Sequence, residues 1–341
     1  MKKRVITGLI MAIVLIPAVL VPACLPVLEF LVVVLIAIGE IELLNMYDKE
    51  KKIPVWLKVL TVLLTLGLSF SVFSFMQKQQ IVVPDDATEG MKTRDVFNVN
   101  KSIILTGLQK LHFDLVFTPV TALLLDFIVL MTCMIFVHDF EVKDAGRLYL
   151  SIIYVGVCSA SVLTLRFIGR RFVLYLLLVT VLTDIFALVF GLTLGKNGKH
   201  KMAPHISPKK SWEGAIGGTM TAVIVGSCFI FFYPTLAKMF GVPRVDFFDG
   251  VFNYETFTGF GKIAVVTILT IFLSITSQVG DLVASKLKRA YGIKDYSQVF
   301  PGHGGVLDRF DSVFFASAMF LTFIIIEVNF VDVLARAAGL M

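Results

Sequence analysis

Residues 262–284 read KIAVVTILTIFLSITSQVGDLVA. An α-helix rises about 1.5 Å per residue and the hydrocarbon core of a bilayer is about 30 Å thick, so about 20 apolar residues cross it. This stretch is long enough, and its one interior charge, Asp281, lies close to one end. Working outward, eight further runs of the same kind stand at 5–25, 27–46, 55–76, 115–137, 147–169, 172–195, 214–236 and 312–333. The predicted fold class is an all-α integral membrane protein, a polytopic bundle of about nine transmembrane helices. Composition agrees: of 341 residues, 57% are hydrophobic and 16% charged, against about 45–50% and about 25% in a soluble domain. That balance excludes an ordinary soluble enzyme, a disordered chain and a disulfide scaffold. The four cysteines, Cys24, Cys133, Cys158 and Cys228, each sit in an apolar run without metal-ligand spacing, and read as packing residues.

Orientation follows the lysines and arginines of the short loops. Lys2, Lys3 and Arg4 place the N-terminus in the cytoplasm, and an uncleaved first helix is a simpler reading than a signal peptide. Asp48–Lys52, 138–146, 196–213 and 285–311 then fall inside, while 77–114 and 237–261 fall outside. This expectation is a multi-pass protein of the cell membrane. Two regions are expected: 1–114, N-terminal transmembrane helices with an external loop, and 115–341, a C-terminal transmembrane region that the resemblance described below implies is catalytic. Arg170 and Arg171 break the rule, because the count puts them outside: either that short hairpin does not fully cross, or the count is off by one there.

The scarce charge is concentrated. Lys196, Lys199, Lys201, Lys209, Lys210, Lys286, Lys288, Arg289, Lys294 and Arg309 are ten of the 31 basic residues, and they lie in two cytoplasmic segments. Against them stand Glu213, Asp295, Asp308 and Asp311, so these two segments carry +6, the whole net charge of the chain. Orientation bias explains part of this excess. It does not explain why acids and glycines are interleaved with the bases, a mixture that suits phosphates together with a divalent metal.

If the helix of 262–284 continues, Asp281, Ser285, Lys288 and Arg289 fall at i, i+4, i+7 and i+8 and share one face. An acid facing cations at the lipid boundary is costly and is more often functional than decorative. Pro301, Gly302, Gly304 and Gly305 then break the helix, and the next one should start near Leu307. Asp308 and Asp311 fall in its first turn, where the dipole favours acids; Asp308 reads either as a simple cap or as a ligand. The Gly304 and Gly305 amides form an expected anion cradle, and His303 alone is a weak signal. In the first segment, Ser207-Pro208 marks a turn, Lys209 and Lys210 either anchor at headgroups or bind substrate, and Ser211 to Gly214 look like a helix start.

At this point the residues resemble a known signature. Ser285, Leu287, Lys288, Arg289, Lys294, Asp295, Ser297, Phe300, Pro301, His303, Gly304, Gly305, Val306, Asp308, Arg309, Phe310 and Asp311 are similar, without departure over 27 residues, to the signature of the phosphatidate cytidylyltransferases, also called CDP-diacylglycerol synthases. The stretch Ser207 to Gly214 resembles a second box of that family, with serine where threonine is frequent. The family often has Asp-Thr-x-Ala-Tyr-x-x-Gly upstream; here Asp184, Ala187 and Gly191 are kept, while Ile185 and Leu188 replace the Thr and Tyr. The resemblance covers roughly 120–333, and the N-terminal third matches only in hydropathy.

The resemblance implies a nucleotidyltransferase that joins phosphatidic acid and CTP, giving CDP-diacylglycerol and pyrophosphate at a site facing the cytoplasm. It implies Mg²⁺, held by Asp281 and Asp308, with Asp311 and Ser285 nearby. Lys288, Arg289, Lys294 and Arg309 would neutralise phosphates. Ser207, Lys209, Lys210, Ser211 and Glu213 would form a facing wall, with Asp295, His303, Gly304 and Gly305 completing the substrate contacts. No nucleic-acid partner is implied, and small-residue helix faces permit a homodimer. A different membrane enzyme acting on a lipid phosphate is the nearest rival. A transporter is the other, but no repeat relates the two halves and the polar cluster lies at one edge.

Overall fold

The structure, a computed structural model, describes residues 2–78, 118–195, 200–239, 247–248, 259–302 and 304–337. Most of the expected external segment, Lys196, Lys199 and His303, and the side chain of Glu327, lie outside the described residues.

Nine long helices account for almost all of the described chain: α1 (Lys2–Leu20), α2 (Leu25–Tyr47), α3 (Val55–Lys78), α4 (Pro119–Phe136), α5 (Val142–Ile168), α6 (Arg170–Thr193), α7 (Trp212–Met239), α8 (Gly259–Ala290) and α9 (Leu307–Ala337). They correspond one to one with the nine apolar runs, and α3 to α9 contain segments long and apolar enough to cross a membrane. The protein is a multi-pass, all-α membrane protein. A small hairpin, β1 (Lys201–Ala203) with β2 (Ser207–Ser211), is the exception. The turn expected at Ser207-Pro208 is instead strand, and the chain reverses at Pro204–Ile206. A two-stranded ribbon accommodates Pro208 because its pairing is irregular between Lys201 and Ala203, so no ladder bond is required at the proline.

By its contacts the chain groups into two compact units. The first takes α1 to α4, α5 as far as Thr164, and Leu287–Phe310; the second takes Leu165–Lys286 and the chain from Asp311.

In the first unit, polar links join the helices. Ser151 donates to Glu40 (2.5 Å) and Ser69 to the Gly156 carbonyl (3.0 Å). At the aqueous end Lys51 meets Asp144 at 2.7 Å and Arg147 meets Glu50 at 2.6 Å. That hydrogen bond to Asp144 holds the Lys51 ammonium above the ordinary lysine pKa.

In the second unit α6 and α7 pack along a seam of small residues. A methyl group on Gly214 would lie 2.4 Å from the Ala187 carbonyl oxygen, and one on Gly218 would lie 2.6 Å from that of Thr183. Van der Waals approach of this kind drives association in lipid, where no hydrophobic effect separates helix from solvent. The small-residue face of α7 is thus used within the chain. It also explains the partial upstream motif: Ala187 and Gly191 face this seam, whereas Ile185 and Leu188 are 50% and 58% exposed, where apolar side chains suit lipid. A ladder of hydroxyls and one amide ties in α8: Tyr175 with Thr270 (2.6 Å), Thr183 with Ser274 (2.9 Å), Ser274 with Thr219 (2.9 Å) and Gln278 with Thr219 (3.0 Å).

Of the two anomalous arginines, Arg171 has a packing explanation. Gly169 alone separates α5 from α6, and Arg171 is fully buried, its guanidinium 5.0 Å from the centroid of the Phe172 ring. Arg166 is buried as well. The count of helices stands, and Arg171 is a packed interior residue rather than a loop charge of the kind that reports topology. The cysteines are free thiols; Cys133 and Cys158 are buried, whereas Cys228 is exposed.

Replacing Gly218 with Val should force α6 and α7 apart and lower stability by about 1–3 kcal/mol, read as a lower melting temperature of the detergent-solubilised protein. Gly67→Ala on α3, where nothing lies within 4 Å of the added methyl, should be neutral or raise stability by up to about 1 kcal/mol.

Candidate active site

The first unit contains the signature loop. Helix α8 ends in the hydrogen-bond pattern of a Schellman motif, Ile293 N–H to Lys288 O (3.0 Å) and Gly292 N–H to Arg289 O (3.1 Å), with Gly292 at φ 67°. Glycine takes that left-handed conformation without a Cβ clash. Phe300 and Gly304 then close a tight turn through two mutual backbone bonds. Gly304 sits at φ 87°, and a methyl on it would lie 2.8 Å from an oxygen of Asp308. Helix α9 begins at Leu307, as its sequence predicts.

Asp308 organises this loop. Its Oδ1 accepts from Lys288 Nζ at 2.6 Å, and its Oδ2 accepts the amides of Tyr296 (2.8 Å) and Gly305 (2.9 Å). The pair is buried, with side-chain exposures of 10% for Lys288 and 2% for Asp308, and Lys288 also lies 5.1 Å from the centroid of the Tyr296 ring. A second carboxylate completes the arrangement. Glu42, from the C-terminal third of α2, accepts the amides of Val306 (2.9 Å) and Leu307 (3.0 Å) and the hydroxyl of Ser297 (2.5 Å). Of the two amides expected to cradle a substrate phosphate, that of Gly305 donates to Asp308 and that of Gly304 to the Phe300 carbonyl. Arg289 donates to the Ile293 carbonyl at 2.8 Å, while Lys294, Asp295 and Arg309 are exposed.

The second unit contains another polar cluster. Ser211 caps α7, accepting the Gly214 amide at 3.2 Å, and Gly191 and Gly195 leave room for its hydroxyl. Glu213 lies in the first turn of α7 and bonds the His200 ring at 2.7 Å. Lys210, at the end of the hairpin, meets Asp281 of α8 at 2.6 Å. Ser285 donates to the other oxygen of Asp281 at 3.4 Å, the one-face arrangement its spacing predicts. Asp184 accepts from Ser312 at 3.3 Å and lies within the electrostatic reach of both Asp281 and Lys210. Asp311 is buried and accepts the Ser312 amide, and its carbonyl fills the space that a side chain on Gly280 would need. Ser207 is partly buried and Lys209 exposed on β2.

The structure thus gathers Lys210, Asp281 and Ser285 in one unit and Lys288, Asp308, Gly304 and Gly305 in the other. Reasoning from sequence missed Glu42 and His200. Glu42 carries a signal, an acid inside an apolar run, but its partners are 264 and 265 residues away. As to a divalent cation, no group of three His, Cys, Asp or Glu side chains forms among the described residues. Asp281, with side-chain exposure of 30% and two hydroxyls and a second carboxylate in its cluster, has the hard oxygen donors that magnesium takes sparingly. Asp308 fits less well, since Lys288 and two amides occupy both its oxygens.

The cytidylyltransferase family matches residues 2–327. The chain belongs to that family. It is a nucleotidyltransferase enzyme. Phosphatidate cytidylyltransferase of Staphylococcus epidermidis RP62A is 30% identical over 315 residues, which is 92% of this chain and 95% of the relative. Those of Staphylococcus haemolyticus and Staphylococcus aureus COL are 37% identical over 191 residues, which is 56% of this chain and 63% of each relative.

The two ion pairs differ in burial, and so in what their loss does to the enzyme. Lys288→Met leaves Asp308 as an uncompensated buried charge and should cost about 3–5 kcal/mol. Lys210→Met breaks a half-exposed pair and should cost at most about 1 kcal/mol. Denaturant or thermal unfolding of the two purified variants measures the contrast.

Proposed function

We propose how this chain converts phosphatidate and CTP to CDP-diacylglycerol and pyrophosphate. The observation that carries the reading is the match to the Staphylococcus epidermidis phosphatidate cytidylyltransferase across nearly the full length of both chains. The charge distribution supports it. One substrate is a membrane lipid and the other a soluble nucleotide, so the polar clusters belong at the lipid boundary. The positive loops support a cytoplasmic face in the cell membrane.

The phosphate of phosphatidate is a monoester whose second pKa is near 6, so it is mostly dianionic at neutral pH and needs no strong base. One of its oxygens attacks the α-phosphorus of CTP. The new P–O bond forms as the bond from the α-phosphorus to its bridging oxygen breaks, and pyrophosphate leaves with that electron pair. The work left to the protein is to bring two polyanions together and hold them in line. The exposed Lys209, Lys294 and Arg309 are suited to the phosphates. Lys210 and Lys288 already meet acids, and act as fixed counter-charges that set where Asp281 and Asp308 point. Arg289, Ser207, Ser211, Glu213 and Asp295 line the same two segments. Magnesium, the cation we propose, supplies charge neutralisation and a template for phosphate oxygens when bound. Asp281 is the side chain that would hold it, with Ser285 and Asp184 beside it, and Asp308 offers an oxygen only if Lys288 is displaced.

The test is transfer of label from CTP to phosphatidate in mixed micelles. The expected product is lipid-linked CMP with one pyrophosphate released, and CTP that labels no lipid sinks the reading. Asp281→Asn should lower turnover by roughly 10²–10³-fold without lowering the melting temperature. Full turnover in the presence of a magnesium chelator rules out the metal.

A further inference from the structure

The acid at position 42 is expensive where it stands. The run Phe30–Ile38 that precedes it in α2 is apolar, and an apolar side chain would serve if packing were its only purpose. Glu42 is nevertheless 3% exposed and its carboxylate gathers three donors from one segment. Ser297 Oγ and Val306 N–H reach Oε1, at 2.5 and 2.9 Å, and Leu307 N–H reaches Oε2 at 3.0 Å. These donors stand midway along the connection from α8 to α9 and at the start of α9, so a single side chain ties the middle of the loop to the point where it stops. The final donor immediately precedes Asp308.

Two glycines make this approach feasible. Gly39, one turn before Glu42 on α2, faces the Leu307 side chain, and a methyl there would lie 3.3 Å from it. A methyl on Gly305 would lie 2.5 Å from Glu42 Oε1 and 2.6 Å from its second oxygen. The second glycine of the signature is thus the counterpart of an acid outside the signature.

We propose that Glu42 is a positioning residue of this cytidylyltransferase: it clamps the Ser297–Leu307 loop so that Asp308 and Lys288 hold their geometry. The proposal rests on the reading that this loop belongs to the active site. Glu42→Gln keeps the shape but turns an acceptor oxygen into an NH₂ group that faces an amide donor. Turnover should fall roughly 10–100-fold, the usual effect of losing a residue that orients a ligand-bearing group, with KM for CTP little changed. Hydrogen–deuterium exchange should rise in peptides spanning 296–310 and stay unchanged in α6 and α7. Glu42→Asp keeps the charge with a shorter reach, and should restore part of both readouts; it also serves if the Gln variant does not fold. Wild-type turnover with wild-type exchange in either variant overturns the proposal, as does exchange that rises uniformly with no loss of turnover per folded molecule. If the wild-type protein transfers no CMP to phosphatidate, the reaction is wrong, while local exchange around 296–310 still decides whether Glu42 is the clamp.

Discussion

A carboxylate removed from water must be met by donors of the protein itself, because its solvation is worth several kcal/mol that lipid does not return. That constraint shapes the polar clusters of this molecule. Asp308 has Lys288 and two backbone amides. Glu42 has two amides and a hydroxyl. Asp281 has Lys210 and Ser285, and Asp184 has Ser312. Each satisfied acid fixes a loop or a helix end, so the electrostatic requirement and the geometry of the polar clusters are the same fact. The long side chains of Lys209, Lys294 and Arg309 are by contrast exposed, and the attraction of exposed cations for anions is salt-sensitive.

Two helices each carry residues of both clusters. Helix α8 carries Asp281 and Lys288 seven residues apart, and α9 carries Asp308 and Asp311 in its first turn. Each helix contributes to both compact units. The hydroxyl ladder from Tyr175 to Gln278 holds α6, α7 and α8 in register within one unit, as interhelical hydrogen bonds do in membranes at modest individual strength.

Much of this was legible from the order of residues. Hydropathy located all nine helices, and the glycines before Leu307 located the start of α9. The i, i+4 spacing brought Ser285 to Asp281, because periodicity is a local property. What was not legible was non-local or depended on depth. The strand at Ser207–Ser211 follows from pairing with Lys201–Ala203, which Pro208 argues against when read alone. Arg171 counts as a loop charge until its burial is seen. The Gly304-Gly305 stretch has every mark of a phosphate cradle, and only the fold shows its amides engaged by the Phe300 carbonyl and Asp308. The remaining lesson is in the upstream motif, where the lost Thr and Tyr fall on lipid-exposed positions and the retained Ala187 and Gly191 fall on the seam.

The separation between Glu42 and its donors also has a consequence in time. Val306 follows it by 264 residues, and chains grow at about 5–20 residues per second, so roughly 13–50 s pass between the synthesis of the acid and that of its amides. Through that interval α2 must remain in the bilayer without the donors of Ser297, Val306 and Leu307. The neighbouring run Phe30–Ile38, nine consecutive apolar residues, favours insertion against the cost of the three acids Glu29, Glu40 and Glu42 that α2 carries. The N-terminal helices are therefore a waiting half-site during biogenesis, completed only when nearly the whole polypeptide has been made.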